Sequence, residues 1–227
     1  MRVEPYAVGS YLHVVKRGAR GMPIVGDDDD RRRFLRVLYF MNEEYYDENW
    51  ETYLEGKDFG YRPDTWPERK PLVHVLGYTL MPNHFHLLIK EVVESGMSTF
   101  MQKLGQSMTM HFNAKHQQHG SIFQGSYRSR TVNDDTYFQY VVAYVLVKNT
   151  FELYPHDGLK GAIRNFESAW KWALGYPFSN LGSFITGAKD PISDRTALEE
   201  LLETPQNFKD FARDVIESGK WTQAEFE

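Results

Sequence analysis

The chain has 227 residues, a formal net charge of −5 and a hydrophobic fraction of 41%. These values fit one domain with a sizeable core, with or without an appendage. The absence of cysteine excludes disulfides and thiolate zinc sites, and no apolar run is long enough to span a bilayer. We therefore expect a cytoplasmic protein with no membrane partner.

The predicted elements begin with a strand over Tyr6–Lys16, which mixes aromatic and β-branched residues. A helix capped by Asp27–Asp30 follows. Residues 41–70 are interpreted as an inserted segment of unknown role. Two strands come next, Pro71–Leu80 and His84–Lys90, and a proline-containing break separates them.

The second half of the pattern is mainly helical. A helix is predicted over Met97–His119, an extended segment over Ser121–Val132, and another helix over Asp134–Asn149. This order predicts an α+β domain with a mostly antiparallel sheet and helices packed mainly on one face. The domain is placed at residues 1–181, and residues 182–227 are predicted to form a C-terminal helical extension.

The charge is unevenly distributed along the chain. Residues 95–133 contain no Asp or Glu, yet they carry Lys103, Lys115, Arg128 and Arg130. Aromatic residues interleave with the two arginines, a pattern that suits single strands, whose bases stack and whose phosphates pair with cations. A solvated surface would give the same charge pattern, so both interpretations stay open.

Two histidines, His84 and His86, alternate with apolar residues in the third predicted strand. Side chains at positions i and i+2 of a strand point to the same face, so the two imidazoles lie side by side. Paired imidazoles suit a divalent metal ion, although an isolated pair of this kind is more often structural. Histidine-triad hydrolases place a third histidine where this chain has Leu88, which excludes that class.

The helix Asp134–Asn149 carries an aromatic stripe. Its residues Tyr137, Tyr140, Tyr144 and Lys148 share one face at about 100° per residue. A core stripe is the simpler interpretation. The functional interpretation is a tyrosine nucleophile held over a metal-bound phosphate, because a phenol with a pKa of about 10 needs a nearby cation or base to attack at neutral pH.

Taken together, these residues resemble a known family. The run Tyr78–Ile89, YTLMPNHFHLLI, is close to the signature of the HUH single-strand transposases, in particular REP-associated tyrosine transposases and their insertion-sequence relatives. The resemblance extends from about Tyr6 to about Leu181. Further matches lie at Val15–Gly18, Phe112–Asn113, Phe123–Gly125, Tyr127–Ser129, the tyrosine-bearing helix and Tyr176–Leu181.

The resemblance implies a ferredoxin-like core and a metal-dependent reaction on single-stranded or hairpin DNA. It implies that His84 and His86 bind Mg²⁺ or Mn²⁺, with Asn149 as the third ligand. It implies that Tyr144 attacks a DNA phosphate, forms a 5′-phosphotyrosine bond and releases a 3′-hydroxyl. The predicted DNA contacts are Lys103, Lys115, Arg128 and Arg130, and the protein is expected to be a monomer or a homodimer.

The chain departs from the family at the end of the tyrosine-bearing helix. The family usually places its tyrosine four residues before an Asn-Pro pair, whereas Tyr144 lies five residues before Asn149 and Thr150 replaces the proline. We favour Tyr144 with a one-residue insertion, because a helix end absorbs an extra residue easily. Counting back from Asn149 instead places Val145 at the nucleophile position. Lys148 lies four residues after Tyr144, at the spacing that the family uses for its asparagine, but it is cationic and a poor metal ligand.

Two other functions are considered. A domesticated descendant would bind DNA hairpins without cutting them, and the departure near Asn149 and the acidic net charge favour it. Retention of His84, His86 and Tyr144 favours the enzyme, since a pure binder does not need all three. A replication-initiating relaxase of the same chemistry would usually need extra domains.

Overall fold

The computed structural model describes residues 5–57, 59–201 and 204–225. Within them the strands form one antiparallel sheet in the order β2-β3-β1-β4. The strands are β1 (Tyr11–Arg17), β2 (Val73–Leu80), β3 (His84–Glu91) and β4 (Arg128–Val132). Residues 1–4, at the start of the predicted domain, and residues 226–227, at the end of the predicted extension, lie outside the described part.

Helices connect the strands and follow them. Their bounds are α1 (Asp28–Phe40), α2 (Gly96–His116), α3 (Asp135–Val142), a π-helical segment (Ala143–Lys148), α4 (Asn149–Glu152), α5 (Gly158–Arg164), α6 (Phe166–Leu174), α7 (Leu181–Thr186), α8 (Thr196–Leu201) and α9 (Pro205–Glu217). Short 3₁₀ turns lie at Ala19–Gly21, Thr52–Leu54 and Lys220–Ala224. The order β1-α1-β2-β3-α2-β4 with this strand arrangement is ferredoxin-like, which confirms the predicted α+β class.

Helices cover both faces of the sheet, although the sequence predicted them mainly on one. One face packs on α1 and α2 through a core that includes Leu12, Phe85 and Leu87. The opposite face, with Leu76 and Leu88, packs on the helices of the C-terminal half of the chain. The strands are apolar on both sides, and such strands need a cover on each face.

The tyrosine-bearing helix, residues 135–152, approaches the sheet closely at β2. A β-carbon at Gly77 would lie 3.3 Å from Leu146 Cδ2, so glycine makes room for the helix. The Thr79 hydroxyl donates a hydrogen bond to the Val145 carbonyl at 2.7 Å. These two contacts fix the height and rotation of the helix above the sheet.

The C-terminal residues pack on the same face as this helix. Buried side chains of α9, including Phe208, Val215 and Ile216, join the second core, and Ala224 of the last turn is also buried. The placement of the domain boundary at residue 181 stays a prediction. Within the part of the chain that the structure describes, no helix is long and apolar enough to cross a membrane.

Candidate active site

The two predicted histidines open strand β3 and lie on the same face of the sheet. Their ring centroids are 5.0 Å apart. His86 is fully buried, and His84 is 8% exposed at the end of the strand. Because β3 pairs with β1 in register, Arg17 lies beside His84 and Val15 beside His86. The pair thus lies at the end of the sheet where β1 ends and β3 begins.

Tyr144 lies over His86 of this pair. Its ring centroid is 5.5 Å from that of His86, and its side chain is fully buried. The structure therefore places the predicted nucleophile in contact with His86, one of the predicted metal ligands, within one chain.

The site contains a third histidine, His13 of β1, which the sequence analysis missed. His13 Nε2 lies 3.0 Å from His86 Nδ1, so one nitrogen donates to the other. The His13 ring is also 5.5 Å from the ring of Tyr144. The strand pattern carried a signal for its orientation, since the side chains of Tyr11, His13 and Val15 point to the same face of a strand.

Both predicted ligands use the same ring nitrogen for protein contacts. His84 Nδ1 lies 2.7 Å from Asn83 Oδ1, and His86 Nδ1 faces His13. An amide oxygen only accepts hydrogen bonds, so His84 Nδ1 must carry the proton and donate it. In the tautomer in which His86 Nδ1 also donates, to His13, Nε2 carries the lone pair in both rings, an arrangement in which neighbouring groups set the tautomer of a ligand.

The π-helical segment lies where the sequence departs from the family. The Asn149 backbone N–H donates to the Tyr144 carbonyl, five residues earlier, instead of four as in an α-helix. One turn of the helix therefore holds an extra residue between Tyr144 and Asn149. This geometry allows a five-residue spacing to replace the usual four-residue spacing without breaking the helix.

The helix continues past Asn149 because Thr150 takes the place of proline. The Thr150 hydroxyl donates to the Leu146 carbonyl at 2.7 Å. The Asn149 side chain is fully buried, and among the described residues neither of its amide atoms has a hydrogen-bond partner. A buried amide without partners is costly unless a ligand satisfies it.

Lys148 lies between Tyr144 and the C-terminal turn. Its Nζ is 3.4 Å from the Tyr144 hydroxyl, 2.7 Å from Glu152 Oε1, and 4.9 Å from the centroid of Trp221. The rings of Tyr144 and Trp221 are 6.4 Å apart. The C-terminal turn Lys220–Ala224 thus contributes to the cover over the tyrosine.

The predicted basic contacts divide into two groups. Arg128 pairs with Val15 and Arg130 with His13 across β1 and β4, so both arginines lie on the face of the histidines. Lys103 and Lys115 are on α2, which packs on the opposite face. The structure does not bring these lysines to the candidate site.

The two α2 lysines already have partners. Lys103 Nζ donates to the Glu43 carbonyl at 2.7 Å, and Lys115 Nζ contacts Asp27 and buried Asp30 at 2.7 and 2.9 Å. Burial raises the pKa of Asp30, but hydrogen bonds from the Gly26 N–H and from Lys115 outweigh it and hold the pKa well below its usual value. This ion pair joins α1 to α2.

The predicted ligand set for a divalent ion is two imidazoles and an amide, and the structure places His84 beside His86 and buries Asn149 in the helix that carries Tyr144. No group of three or more His, Asp or Glu side chains among the described residues is arranged to hold a metal. The donors at hand are the imidazoles of His84 and His86 and the amide oxygen of Asn149. Carbonyl oxygen suits Mg²⁺ or Mn²⁺, whereas imidazole is more typical of later transition metals. Among the described residues the buried Asn149 amide has no hydrogen-bond partner.

Comparison with known proteins gives a match to a family over part of the chain and a match to a solved structure. Residues 68–148 match the family described as "Transposase IS200 like". This segment contains β2, β3 and the helix up to Lys148. No curated protein sequence matches the chain.

Among solved structures, the chain is similar to a REP-associated tyrosine transposase bound to a REP hairpin. The identity is 12% and the TM-score 0.46, and the match covers 86% of this chain and 94% of the other.

Proposed function

We propose that this chain, whose residues 68–148 match the family described as "Transposase IS200 like", cleaves and rejoins single-stranded DNA through Tyr144. The observation that carries the proposal is the packing of the Tyr144 ring against His86, at 5.5 Å, on the same face as His84. Covalent phosphoryl transfer needs a nucleophile activated by its neighbours, and paired imidazoles can hold a cation beside it.

The proposed reaction is a transesterification. The Tyr144 phenol oxygen attacks the phosphorus of a backbone phosphodiester, and the bond to the 3′-oxygen of the preceding nucleotide breaks. The phenol proton is released, and the departing 3′-oxygen takes up a proton to become a hydroxyl. The 5′-phosphate stays on Tyr144 until a 3′-hydroxyl attacks it and rejoins the strand. Each step forms one phosphoester bond for the one that it breaks, so no nucleotide cofactor is needed to drive the reaction.

We propose that His84, His86 and Asn149 hold Mg²⁺ or Mn²⁺. Such an ion, when bound, polarises the phosphoryl oxygens and stabilises the charge of the transition state. His13 and Asn83 orient the two imidazoles through the Nδ1 contacts at 3.0 and 2.7 Å. Because orienting groups around metal ligands matter nearly as much as the ligands, these two residues belong to the proposed site.

Lys148 is a second source of positive charge for the phenol. Its ammonium group is 3.4 Å from the Tyr144 hydroxyl and 4.6 Å from the ring centroid. Its position one turn along the helix means that Tyr144 is already oriented before DNA binds.

The proposed DNA partner is a single strand carrying a hairpin, as the sequence resemblance implies. Arg128 and Arg130 lie on the face of the histidines, so we propose these two residues, rather than Lys103 and Lys115, as contacts to the DNA backbone. Since Tyr144, His84 and His86 meet within one chain, one copy contains the whole proposed site, and we propose cleavage in cis.

A second candidate function is hairpin binding without cleavage. The complete burial of Tyr144 favours it, because a nucleophile must reach a DNA phosphate. Incubation of the protein with a panel of hairpin-bearing single strands separates the two functions. Cleavage in Mn²⁺ that EDTA abolishes supports the enzyme, whereas binding that persists in EDTA with no cleavage in any metal supports the binder.

The cover over Tyr144 leads to a further prediction. Trp221→Ala removes the ring 6.4 Å from Tyr144 and should open the site, because a larger population with an accessible nucleophile reacts faster. We expect the initial rate of cleavage to rise roughly 5-fold. The measurement is single-turnover cleavage of a labelled single strand.

Lys220→Ala is the matched control for Trp221→Ala. Lys220 is exposed in the same turn, so its replacement leaves the ring over Tyr144 in place and should leave the rate near that of the parent. A Trp221→Ala rate equal to the parent rate, in a protein that unfolds at the parent temperature, would show that the turn does not limit access.

A further inference from the structure

A second concave site lies beside the candidate active site. It is a cavity of about 370 Å³ between strand β4, the start of helix α3 and the C-terminal turn. Its lining consists of Arg130, Thr131, Asn133, Asp134, Thr136, Tyr137, Tyr140 and Gln223. None of these residues takes part in the proposed phosphoryl transfer except Arg130, which was assigned to the DNA backbone.

The cavity borders the catalytic residues on two sides. Arg130 is the cross-strand partner of His13, which contacts His86. Tyr140 precedes Tyr144 by one helical turn. A group bound in the cavity and joined to a DNA strand would therefore be within a short distance of the phosphate at Tyr144.

The chemistry of the lining favours a flat and uncharged ligand. The Arg130 guanidinium lies over the Tyr137 ring, 5.0 Å from its centroid, so one wall presents a cationic plane and an aromatic ring. Asn133, Thr136 and Gln223 supply neutral donors and acceptors. Asp134 adds a carboxylate, which repels a phosphate but accepts hydrogen bonds from the amino groups of bases.

From these features we infer that the cavity binds one unpaired nucleobase of the DNA strand next to the cleaved phosphate. A base has two π faces and an edge of donors and acceptors, and proteins bind it by stacking on aromatic or arginine planes and by hydrogen bonds to that edge. Arg130 then contacts the base as well as the backbone. The inference rests on the proposed function for the identity of the strand, but the base-binding chemistry stands on the cavity itself.

The test uses the full chain and a fluorescent mononucleotide, 2-aminopurine deoxyribonucleoside 5′-monophosphate. Stacking in the cavity should quench its fluorescence in a saturable way. Natural deoxynucleoside monophosphates should compete, and deoxyribose 5-phosphate should not, because it lacks the base. Equal competition by deoxyribose 5-phosphate would show a phosphate site and overturn the inference.

Two variants locate the binding. Tyr137→Ala should weaken nucleotide binding about 10-fold, as expected for loss of one stacking partner, and Arg130→Met should weaken it to a similar degree without removing a ring from the fold. Tyr154 does not line the cavity, so Tyr154→Phe should bind the nucleotide as the parent does. Unchanged binding in both Tyr137→Ala and Arg130→Met would overturn the inference.

The outcome is separable from that of the proposed function. Nucleotide binding needs no attack by Tyr144, so Tyr144→Phe should still quench the probe. Quenching in a protein that never cleaves DNA would support the base site and contradict the transposase activity. Cleavage by a protein that does not bind the mononucleotide through Tyr137 and Arg130 would support the transposase activity and contradict the base site.

Discussion

Tyr144→Phe is expected to abolish the covalent protein–DNA adduct and to lower cleavage by at least about 10³-fold, as removal of a nucleophile does. The hydroxyl oxygen is the only heavy atom removed, and it accepts a 3.4 Å hydrogen bond from Lys148. Loss of one such bond costs about 1 kcal/mol of stability at most. The variant should therefore fold and bind DNA as the parent does, and denaturing electrophoresis of reactions with labelled DNA measures the adduct.

Tyr154→Phe is the matched control for this experiment. Tyr154 is also a largely buried tyrosine, but its hydroxyl is 2.8 Å from Ser168 and takes no part in the site. It should lose a similar amount of stability and keep full activity. A Tyr144→Phe protein that still forms the adduct would show that another residue is the nucleophile.

Asn149→Leu is expected to change stability and metal affinity in opposite senses. Without metal, the buried amide lacks hydrogen-bond partners, and an apolar side chain of similar size removes a desolvation cost of about 1 kcal/mol. Tm should therefore rise by about 2–4 °C in EDTA. Loss of a ligand should weaken Mn²⁺ binding by at least about 10-fold, which titration of free Mn²⁺ by electron paramagnetic resonance measures directly.

Asn180→Leu is the contrasting control. Asn180 is equally buried, but its Oδ1 accepts from the Tyr78 N–H at 2.8 Å and its Nδ2 donates to the Leu76 carbonyl at 2.9 Å. Its replacement leaves two backbone groups unsatisfied and should lower Tm in EDTA by several degrees. An Asn149→Leu protein that loses stability without metal and binds Mn²⁺ normally would remove Asn149 from the metal site.

The sheet and the long helices were predictable because their patterns are local. Residues 84–90 alternate in a way that sets the face of the two histidines, and Asp27 marks the start of α1, where its carboxylate accepts from the N–H groups of Asp29 and Asp30. The end of α2 was predicted less well. The helix ends at His116 rather than at the predicted His119, because Gln117 adopts the left-handed conformation, with φ of 53°.

Features that depend on distant contacts were not predicted. The cover of helices on both sheet faces depends on which apolar stripes pack together, and short helices such as α5 and α7 have too few residues for a clear period. His13 was missed because its role requires the pairing of β1 with β3, which a single sequence does not give. A one-residue insertion was expected between Tyr144 and Asn149, but its form, a π turn supported by Thr79, needed coordinates.

The position of the DNA-binding cations could not be judged from charge alone. An acid-free stretch groups Lys103 and Lys115 with Arg128 and Arg130 in sequence. The fold separates them, because α2 lies on one face of the sheet and the paired arginines of β4 face the other. Charges close in sequence lie on opposite sides of a sheet when a helix covers one face and the charged residues of the next strand point to the other.

The central claim is that Tyr144 becomes covalently linked to the 5′-phosphate of a cleaved strand. The most direct test is to trap the adduct in Mn²⁺ with hairpin-bearing single-stranded DNA, digest both protein and DNA, and identify the modified residue by mass spectrometry. The account predicts one phosphotyrosyl peptide, with a nucleotide on Tyr144, and none in EDTA. A nucleotide on another residue, or cleavage of the DNA with no covalent peptide, would contradict it.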